Sequence, residues 1–180
     1  MSKAQEIFKS KIVPELAQKL ELKNKMAVPD LEKIVINVGI GKTRENPKFK
    51  EIVTESLKSI TGQKPKVTKA KKAISGFKIR QNDEIGLVVT LRKDRMYDFS
   101  YKLANIVLPR MRDFRGLDEK DFDRAGNFTL ALREQVIFPE ISHEKAETIF
   151  GMSITFVTTA KDIKEGRILL EALGFPFKKD

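Results

Sequence analysis

The segment Ile85-Gly86-Leu87-Val88-Val89-Thr90-Leu91-Arg92 alternates apolar side chains with small, polar or cationic ones. This period of two residues predicts a β-strand, because successive side chains of a strand point to opposite faces of a sheet. The predicted apolar face carries Ile85, Leu87, Val89 and Leu91. Alternation of this kind favours an antiparallel sheet that is covered on one face, since parallel strands buried on both faces are apolar throughout.

Further strands are predicted on either side of this segment by the same period. The alternating segments are Lys33–Val38, Phe128–Arg133 and Met152–Thr159. Two shorter strands, Pro65–Lys69 and the residues from Ile79 onward, are predicted around a loop that contains Ser75-Gly76.

Helical spacing of apolar residues predicts four helices. The first runs from Ser2 to about Leu22 with a kink at Pro14, and the last runs from Asp162 to Leu173. A helix beginning at Asn46-Pro47 has an apolar stripe and ends at Gly62; the stripe is Phe49, Val53, Leu57 and Ile60. A helix capped by Asp94 and closed by Pro109 presents four residues to the core, namely Met96, Phe99, Leu103 and Ile106.

These elements predict an α+β fold, a single domain spanning residues 1–180 with one largely antiparallel sheet, helices on one face and the other face free. The residues predicted on the free face are small, polar or cationic: Asn37, Thr90, Arg92, Thr129, Arg133, Ser153 and Thr155. This face lacks the pairs of aromatic residues on which single-stranded bases stack, so it suits contact with RNA shape, backbone and sugar hydroxyls.

The composition points to a polyanionic partner. Lys and Arg number 35 against 25 Asp and Glu, which gives a net charge of +10. An anionic membrane surface is the rival explanation, although no apolar run reaches the roughly 18 residues of a membrane span. The absence of Cys and the single His143 exclude thiol chemistry and make His-based catalysis or metal binding improbable. A cytoplasmic protein without cofactor, metal site or catalytic residues is expected.

The strongest local signal is an acid-free window from Ser56 to Asn82. Its 27 residues contain eight basic residues, Lys58, Lys64, Lys66, Lys69, Lys71, Lys72, Lys78 and Arg80. A run of charged residues is usually just a solvated face, in which acidic residues are mixed with the basic ones. Here no acidic residue interrupts the basic ones, which favours a phosphate-binding surface. Two interpretations of Phe77 remain open, a core residue and a group projected onto RNA from the loop tip.

Two other motifs have competing interpretations. Gly39-Ile40-Gly41-Lys42-Thr43 resembles part of a nucleotide-binding loop, but Ile36 stands where the first Gly of that loop is required, so a structural turn is favoured. The cluster Arg110, Arg112 and Arg115 could bind an anionic ligand or pair with Asp113, and the sequence does not separate these alternatives.

Several of these motifs together resemble the family of ribosomal protein L5, the large-subunit protein that binds 5S ribosomal RNA, in its bacterial form. The resemblance covers nearly the whole chain. It rests on the segments Val35–Gly41, Ile60–Pro65, Thr68–Lys72, Gly76–Gln81, Val89–Arg92, Pro109–Gly116, Arg133–Gln135, Ile137–Glu140 and Thr158–Ala160. Asn82-Asp83-Glu84 and Ala125 depart from the family pattern, and Lys66 stands where the family has an apolar residue.

The resemblance implies a structural protein of the ribosome in the central protuberance, with partners in both subunits. These are 5S rRNA, 23S rRNA, transfer RNA in the peptidyl site, other central-protuberance proteins, and a head protein of the small subunit across an intersubunit bridge. The implied rRNA-binding residues are Asn37, Gln63, Thr68, Lys69, Lys71, Lys72, Thr90 and Arg92. The implied tRNA-contacting loop comprises Gly76, Phe77, Lys78, Ile79 and Arg80.

Overall fold

The alternating segments form one five-stranded antiparallel sheet with helices, which confirms the predicted α+β class. The computed structural model describes residues 3–22, 24–41, 48–112, 114–141 and 148–178. The strands are β1 Leu31–Gly39, β2 Lys66–Lys69, β3 Glu84–Leu91, β4 Phe128–Leu132 and β5 Met152–Thr158. Their order across the sheet is β2-β3-β1-β5-β4.

In the described residues, five α-helices accompany the sheet: α1 Lys3–Ile7, α2 Val13–Lys19, α3 Phe49–Thr61, α4 Lys93–Lys102 and α5 Ile163–Ala172. A π-helical turn, Phe8–Ile12, joins α1 to α2 just before Pro14, which has no N–H to continue the α-helical ladder. Asp162 caps α5, since its Oδ1 accepts a hydrogen bond from the Glu165 amide at 2.8 Å. The predicted helix start at Asn46-Pro47 lies outside the described residues.

The chain divides into two compact units. The first comprises residues 1–34, 91–130 and 155–180, and the second comprises residues 35–90 and 131–154. The boundary therefore falls within β1, β3, β4 and β5. The interpretation of residues 1–180 as a single domain stays a prediction.

The first unit is built on helices and aromatic side chains. Phe128 and Phe156 are fully buried, and the Phe156 ring lies edge-on to Phe175 at 5.1 Å between centroids. The side chain of Asp30, just before β1, is held in place because its Oδ1 accepts a 2.6 Å hydrogen bond from the Tyr97 hydroxyl. Burial, followed by this hydrogen bond, raises the pKa of Tyr97, so the phenol stays protonated and continues to donate.

The second unit buries the predicted stripe of α3 together with the apolar residues of the strands. The stripe residues Phe49, Val53, Leu57 and Ile60 are all buried, and so are Ile36, Val38, Leu87 and Val89. Gly62 ends α3 in the left-handed conformation with φ of 65°, as predicted. The residues that alternate with the buried ones in β1 and β3 form the outward face that the sequence pattern indicated.

Four details differ from the predictions. Ile106 is exposed and Val107 is buried, because Leu103–Val107 form a π-helical turn whose wider pitch moves the core position by one residue. Helix α4 begins at Lys93 with Arg92 in the capping position, so Asp94 lies in the first turn and is not the cap.

The other two differences lie at the start of β3. The strand begins at Glu84, and Ile79 forms only an isolated bridge with Ile74, so no strand starts at Ile79. Ile85 was predicted on the core face but is 39% exposed, at the end of the strand where covering is incomplete. Among the described residues, no helix is long and apolar enough to cross a membrane.

Candidate nucleic-acid interface

A glycine in the middle of β3 leaves a notch in the strand, and the Thr68 side chain fills it. A Cβ placed on Gly86 would lie 2.8 Å from Thr68 Oγ1, 3.1 Å from the Val38 carbonyl oxygen and 3.6 Å from Asn37 Oδ1. The pairing of β2 with β3 sets this geometry, because Thr68 lies directly opposite Gly86. The notch is thus the buried position left by the missing side chain of Gly86; the Thr68 hydroxyl occupies it, and the Asn37 side-chain amide lies beside it.

The polar groups at the notch have capacity to bind a ligand. Within the described residues, neither the Thr68 hydroxyl nor the Asn37 side-chain amide makes a hydrogen bond, whereas the Asn37 backbone oxygen accepts one from Ser153 Oγ at 3.5 Å. Thr68 is half-buried and Asn37 is exposed. A hydroxyl and an amide together can donate to and accept from a ribose hydroxyl or a phosphate.

Gln63 is held over the outward face by the turn that follows α3. The Gln63 amide donates to Thr61 Oγ1 at 3.2 Å, and its side-chain Nε2 donates to the Thr90 carbonyl oxygen at 3.3 Å. The structure therefore brings together Gln63 and Thr90, two of the residues for which the resemblance implies a role in rRNA binding. Thr90 lies four residues beyond Gly86 on β3, which places these two polar points about 13 Å apart.

The basic residues of the acid-free window are presented to solvent. All eight are exposed, and none forms an ion pair with another residue in the described part of the chain. Lys69 lies opposite Glu84 in the register, but the Glu84 carboxylate pairs with Lys50 of α3 at 2.6 Å. The positive charge along the β2–β3 connection is therefore available to phosphates.

The β2–β3 connection is an ordered hairpin that follows the predicted strand β2 and has only an isolated bridge at Ile79. Ile74 and Ile79 exchange two backbone hydrogen bonds of 2.9 and 3.0 Å, which closes a tip of four residues, Ser75–Lys78. Lys78 takes the left-handed conformation with φ of 54°, and its amide donates to the Ser75 carbonyl at 2.9 Å. Nearer the strands, the Ala70 amide donates to the Asp83 carbonyl at 2.8 Å.

The two interpretations of Phe77 are now separated. Its side chain is 72% exposed, and that of Ile74 beside it is 48% exposed, so the core interpretation is wrong. Gly76 has no atom within 4 Å of the position that a Cβ would occupy. The tip therefore presents an aromatic ring, an aliphatic side chain and open backbone between Lys72 and Lys78.

Arg92 differs from the other predicted rRNA-binding residues in its unit, because they all belong to the second unit. It belongs to the first unit, where its guanidinium lies 3.7 Å from Glu32 Oε1. Thr129 and Thr155 of the same unit also lie outward, but their hydroxyls are 3.1 Å apart and bond to each other. These groups have internal partners, in contrast to Asn37 and Thr68.

Two departures from the family pattern, Asn82 and Lys66, fit the local geometry. Asn82 adopts a left-handed φ of 71°, a conformation that Asn tolerates better than most residues, so it can replace a Gly there. Lys66 is exposed, in keeping with a strand position that faces solvent or RNA. Lys42, Thr43 and His143 lie outside the described residues.

Sequence reasoning missed Gly86 as a component of the site. The signal was a Gly inside a strand pattern, which often marks close approach by a ligand or a second backbone. No group of three or more His, Cys, Asp or Glu side chains in the described ranges could hold a metal ion.

Comparison with known proteins finds two family models that together match most of the chain. The model of ribosomal protein L5 matches residues 24–80, and the model of the ribosomal L5 family C-terminus matches residues 84–177. The large ribosomal subunit protein uL5 of Carboxydothermus hydrogenoformans is 51% identical over 99% of this chain and 100% of its own length. The protein of the same name from Clostridium tetani is 53% identical over 96% of each chain.

Proposed function

The chain belongs to the ribosomal protein L5 family, and from this premise we propose that it binds 5S rRNA through its polar sheet face and transfer RNA through its hairpin tip. Members of this family are structural proteins of the ribosome and not enzymes. The chain is accordingly an RNA-binding constituent of the large ribosomal subunit that serves translation in the cytoplasm.

The observation that carries the 5S rRNA proposal is the notch at Gly86. In the described part of the chain, the hydroxyl and the amide at the notch make no internal hydrogen bond, and Thr90, whose carbonyl oxygen accepts a hydrogen bond from Gln63, lies on the same strand as Gly86. RNA helices display ribose hydroxyls and phosphates in a wide, shallow groove, which polar groups on a flat sheet can reach. The site residues in this contact are Asn37, Gln63, Thr68 and Thr90, which all belong to the second unit. Arg92, of the first unit, is proposed as a separate rRNA contact.

The exposed lysines supply most of the affinity in this proposal. Lys69, Lys71 and Lys72 follow directly after Thr68, so phosphates beside the notch meet positive charge. Contacts to phosphates fix register and orientation but carry no information about which RNA is bound. Selection of 5S rRNA is therefore assigned to the polar face.

The implied tRNA-contacting loop, Gly76 to Arg80, overlaps the hairpin tip and is the proposed contact with transfer RNA in the peptidyl site. An exposed Phe77 between Lys72 and Lys78 can stack on a base or ribose while the lysines hold the neighbouring phosphates. Its exposure supports this role, because a 72% exposed Phe contributes little to the core.

The remaining partners rest on the family resemblance. They are 23S rRNA, other proteins of the central protuberance, and a head protein of the small subunit across an intersubunit bridge. In the second half of the chain, Ile149 is 54% exposed and offers an apolar contact of the kind that a protein partner would cover.

Hydroxyl-radical footprinting of 5S rRNA tests the proposed function. With the wild-type protein we expect a discrete set of protected riboses, and with Asn37→Ala/Thr90→Ala we expect that set to shrink. Thr129→Ala is the matched control, since its hydroxyl already bonds to Thr155. Equal footprints for the wild type and the double variant would remove the polar face from the account.

A further inference from the structure

We propose that Arg110, Arg112 and Arg115 form a second RNA-binding surface, which grips phosphates independently of the polar face and the hairpin. This cluster lies in the first unit, between the end of the helical segment at Val107 and Leu117. The proposal adds a contact to the proposed function and does not depend on which RNA the polar face selects.

The backbone presents the first two arginines outward. Leu108 is buried and begins a short 3-10 turn, and the Met111 amide donates to the Leu108 carbonyl at 3.1 Å. Met111 is half-buried, whereas Arg110 and Arg112 on either side of it are exposed. The segment that carries the two guanidinium groups is therefore held in place by the apolar packing of Leu108 and Met111.

The far side of the cluster is anchored to the C-terminal segment. The Leu117 amide donates to the Pro176 carbonyl at 2.9 Å, and the Lys178 amide donates to the Leu117 carbonyl at 3.0 Å. Gly116 has φ of 98°, and a Cβ there would lie 2.7 Å from the Lys178 nitrogen. Arg115, which precedes this close approach, is therefore attached to well-fixed backbone.

The acids that follow the cluster are already engaged by other cations. The backbone amide of Lys120 and the side chain of Lys178 bond to Asp118 and lower the pKa of its carboxyl. Glu119 pairs with Arg167. None of the three arginines forms an ion pair with another residue in the described ranges. Asp113 lies outside those ranges, and one carboxylate can neutralise only one of three guanidinium groups.

The residue type indicates the partner. Seven of the eight basic residues in the acid-free window are Lys, whose ammonium acts as a point charge. All three residues of this cluster are Arg. A guanidinium is a planar fork that binds phosphate oxygens through two parallel hydrogen bonds. In a chain of net charge +10, this chemistry favours the phosphates of a structured RNA over an acidic protein.

The test uses the full-length chain with naked 5S and 23S rRNA as the probe. The variant Arg110→Gln/Arg112→Gln is compared with Arg110→Lys/Arg112→Lys, which keeps the charge but loses the fork. Lys161→Gln/Lys164→Gln removes the same charge from two exposed positions of the same unit. Circular dichroism confirms that each variant is folded.

For Arg110→Gln/Arg112→Gln we expect the loss of a discrete set of protected riboses that Asn37→Ala leaves protected. We also expect the magnitude of the log–log salt slope to fall by about 1.4 to 1.8, the value for two phosphate contacts. Arg110→Lys/Arg112→Lys should keep the salt slope of the wild type but lose part of the protection of these riboses. An unchanged footprint, or equal effects of Lys161→Gln/Lys164→Gln, would overturn the proposal. A second measurement, protein crosslinking in assembled ribosomes, covers the alternative partner: intact RNA protection together with the loss of a crosslink to another ribosomal protein would overturn the proposal in favour of an acidic protein.

Discussion

Thr68 Oγ1 lies 2.8 Å from the point that a Cβ on Gly86 would occupy, so the hydroxyl fills the space left by the missing side chain. Because a Cβ atom essentially never lies within 3.0 Å of a non-bonded atom, a side chain at residue 86 would displace the Thr68 hydroxyl. The Thr68 rotamer and the absence of a side chain at residue 86 are therefore coupled, and both define the notch beside Asn37.

The first prediction follows from this coupling. Gly86→Ala should displace the Thr68 hydroxyl and weaken 5S rRNA binding by on the order of tenfold, the effect of losing about one hydrogen bond. Thr68→Val, which keeps the shape but removes the hydroxyl, should weaken it to a similar extent. Filter binding or calorimetry of both single variants and of the double variant provides the measurement. Additive losses would show that the two positions act separately, since coupled neighbours give non-additive effects.

The second prediction concerns the hairpin tip. Phe77→Ala should leave 5S rRNA binding unchanged but weaken retention of transfer RNA on assembled ribosomes by about 1 to 3 kcal/mol, the contribution of one stacked base. Stability should change by less than about 0.5 kcal/mol, because the ring is exposed. Ile163→Ala is a suitable control, as Ile163 is an exposed apolar residue of the other unit. Equal loss of both RNAs would show that Phe77 contacts 5S rRNA.

The third prediction concerns a buried polar residue. Gln135 is only 1% exposed; its Nε2 donates to the Thr148 carbonyl at 2.7 Å and its Oε1 accepts from the Phe150 amide at 2.8 Å. Gln135→Ala should lower the free energy of unfolding by about 2 to 3 kcal/mol, since it leaves the buried Phe150 amide and the part-buried Thr148 carbonyl without partners. Urea denaturation measures this, with the exposed Gln81→Ala as control. A loss below about 1 kcal/mol would mean that water replaces the amide.

The fourth prediction is a pH dependence at the turn before β4. The Asn127 side chain, followed by the amides of Asn127 and Ala125, donates to Asp123 and holds the pKa of its carboxyl below the ordinary value of 3.8. A lowered folded-state pKa gives stabilisation that is complete above the ordinary value and is lost as pH falls through the folded one. Asp123→Asn should therefore lower Tm slightly at pH 7 and have a smaller effect at pH 2. The same difference at both pH values would contradict this assignment.

The spacing of apolar residues predicted most of the fold, because buried positions recur every two residues in a strand and every 3.6 residues in a helix. The strands around Ile36, Leu87 and Ile154 and the stripe of α3 follow directly from alternation and helical spacing. The free face followed too, since the positions between buried residues must point away from the core. Asn37 and Thr90 were placed on it from the sequence pattern.

The remaining features depend on tertiary geometry that no local pattern encodes. Ile106 and Val107 exchange burial because a π-helical turn changes the pitch near the end of α4, and nothing in the local spacing announces it. The exposure of Phe77 depends on a four-residue hairpin tip that separates it from the core. Gly86 gains its role only because β2 places Thr68 opposite it.

The central claim is that charge supplies affinity while the polar face selects the RNA, and the salt dependence of binding tests it most directly. If about six phosphates are contacted, the wild-type log–log slope for 5S rRNA should be on the order of −4 to −5. Asn37→Ala/Thr90→Ala should keep this slope but reduce binding of 5S rRNA to the level of an unrelated structured RNA of equal length. Lys71→Gln/Lys72→Gln should instead make the slope shallower and weaken both RNAs equally. A polar-face variant that weakens both RNAs equally, or a wild-type slope near zero, would contradict the account.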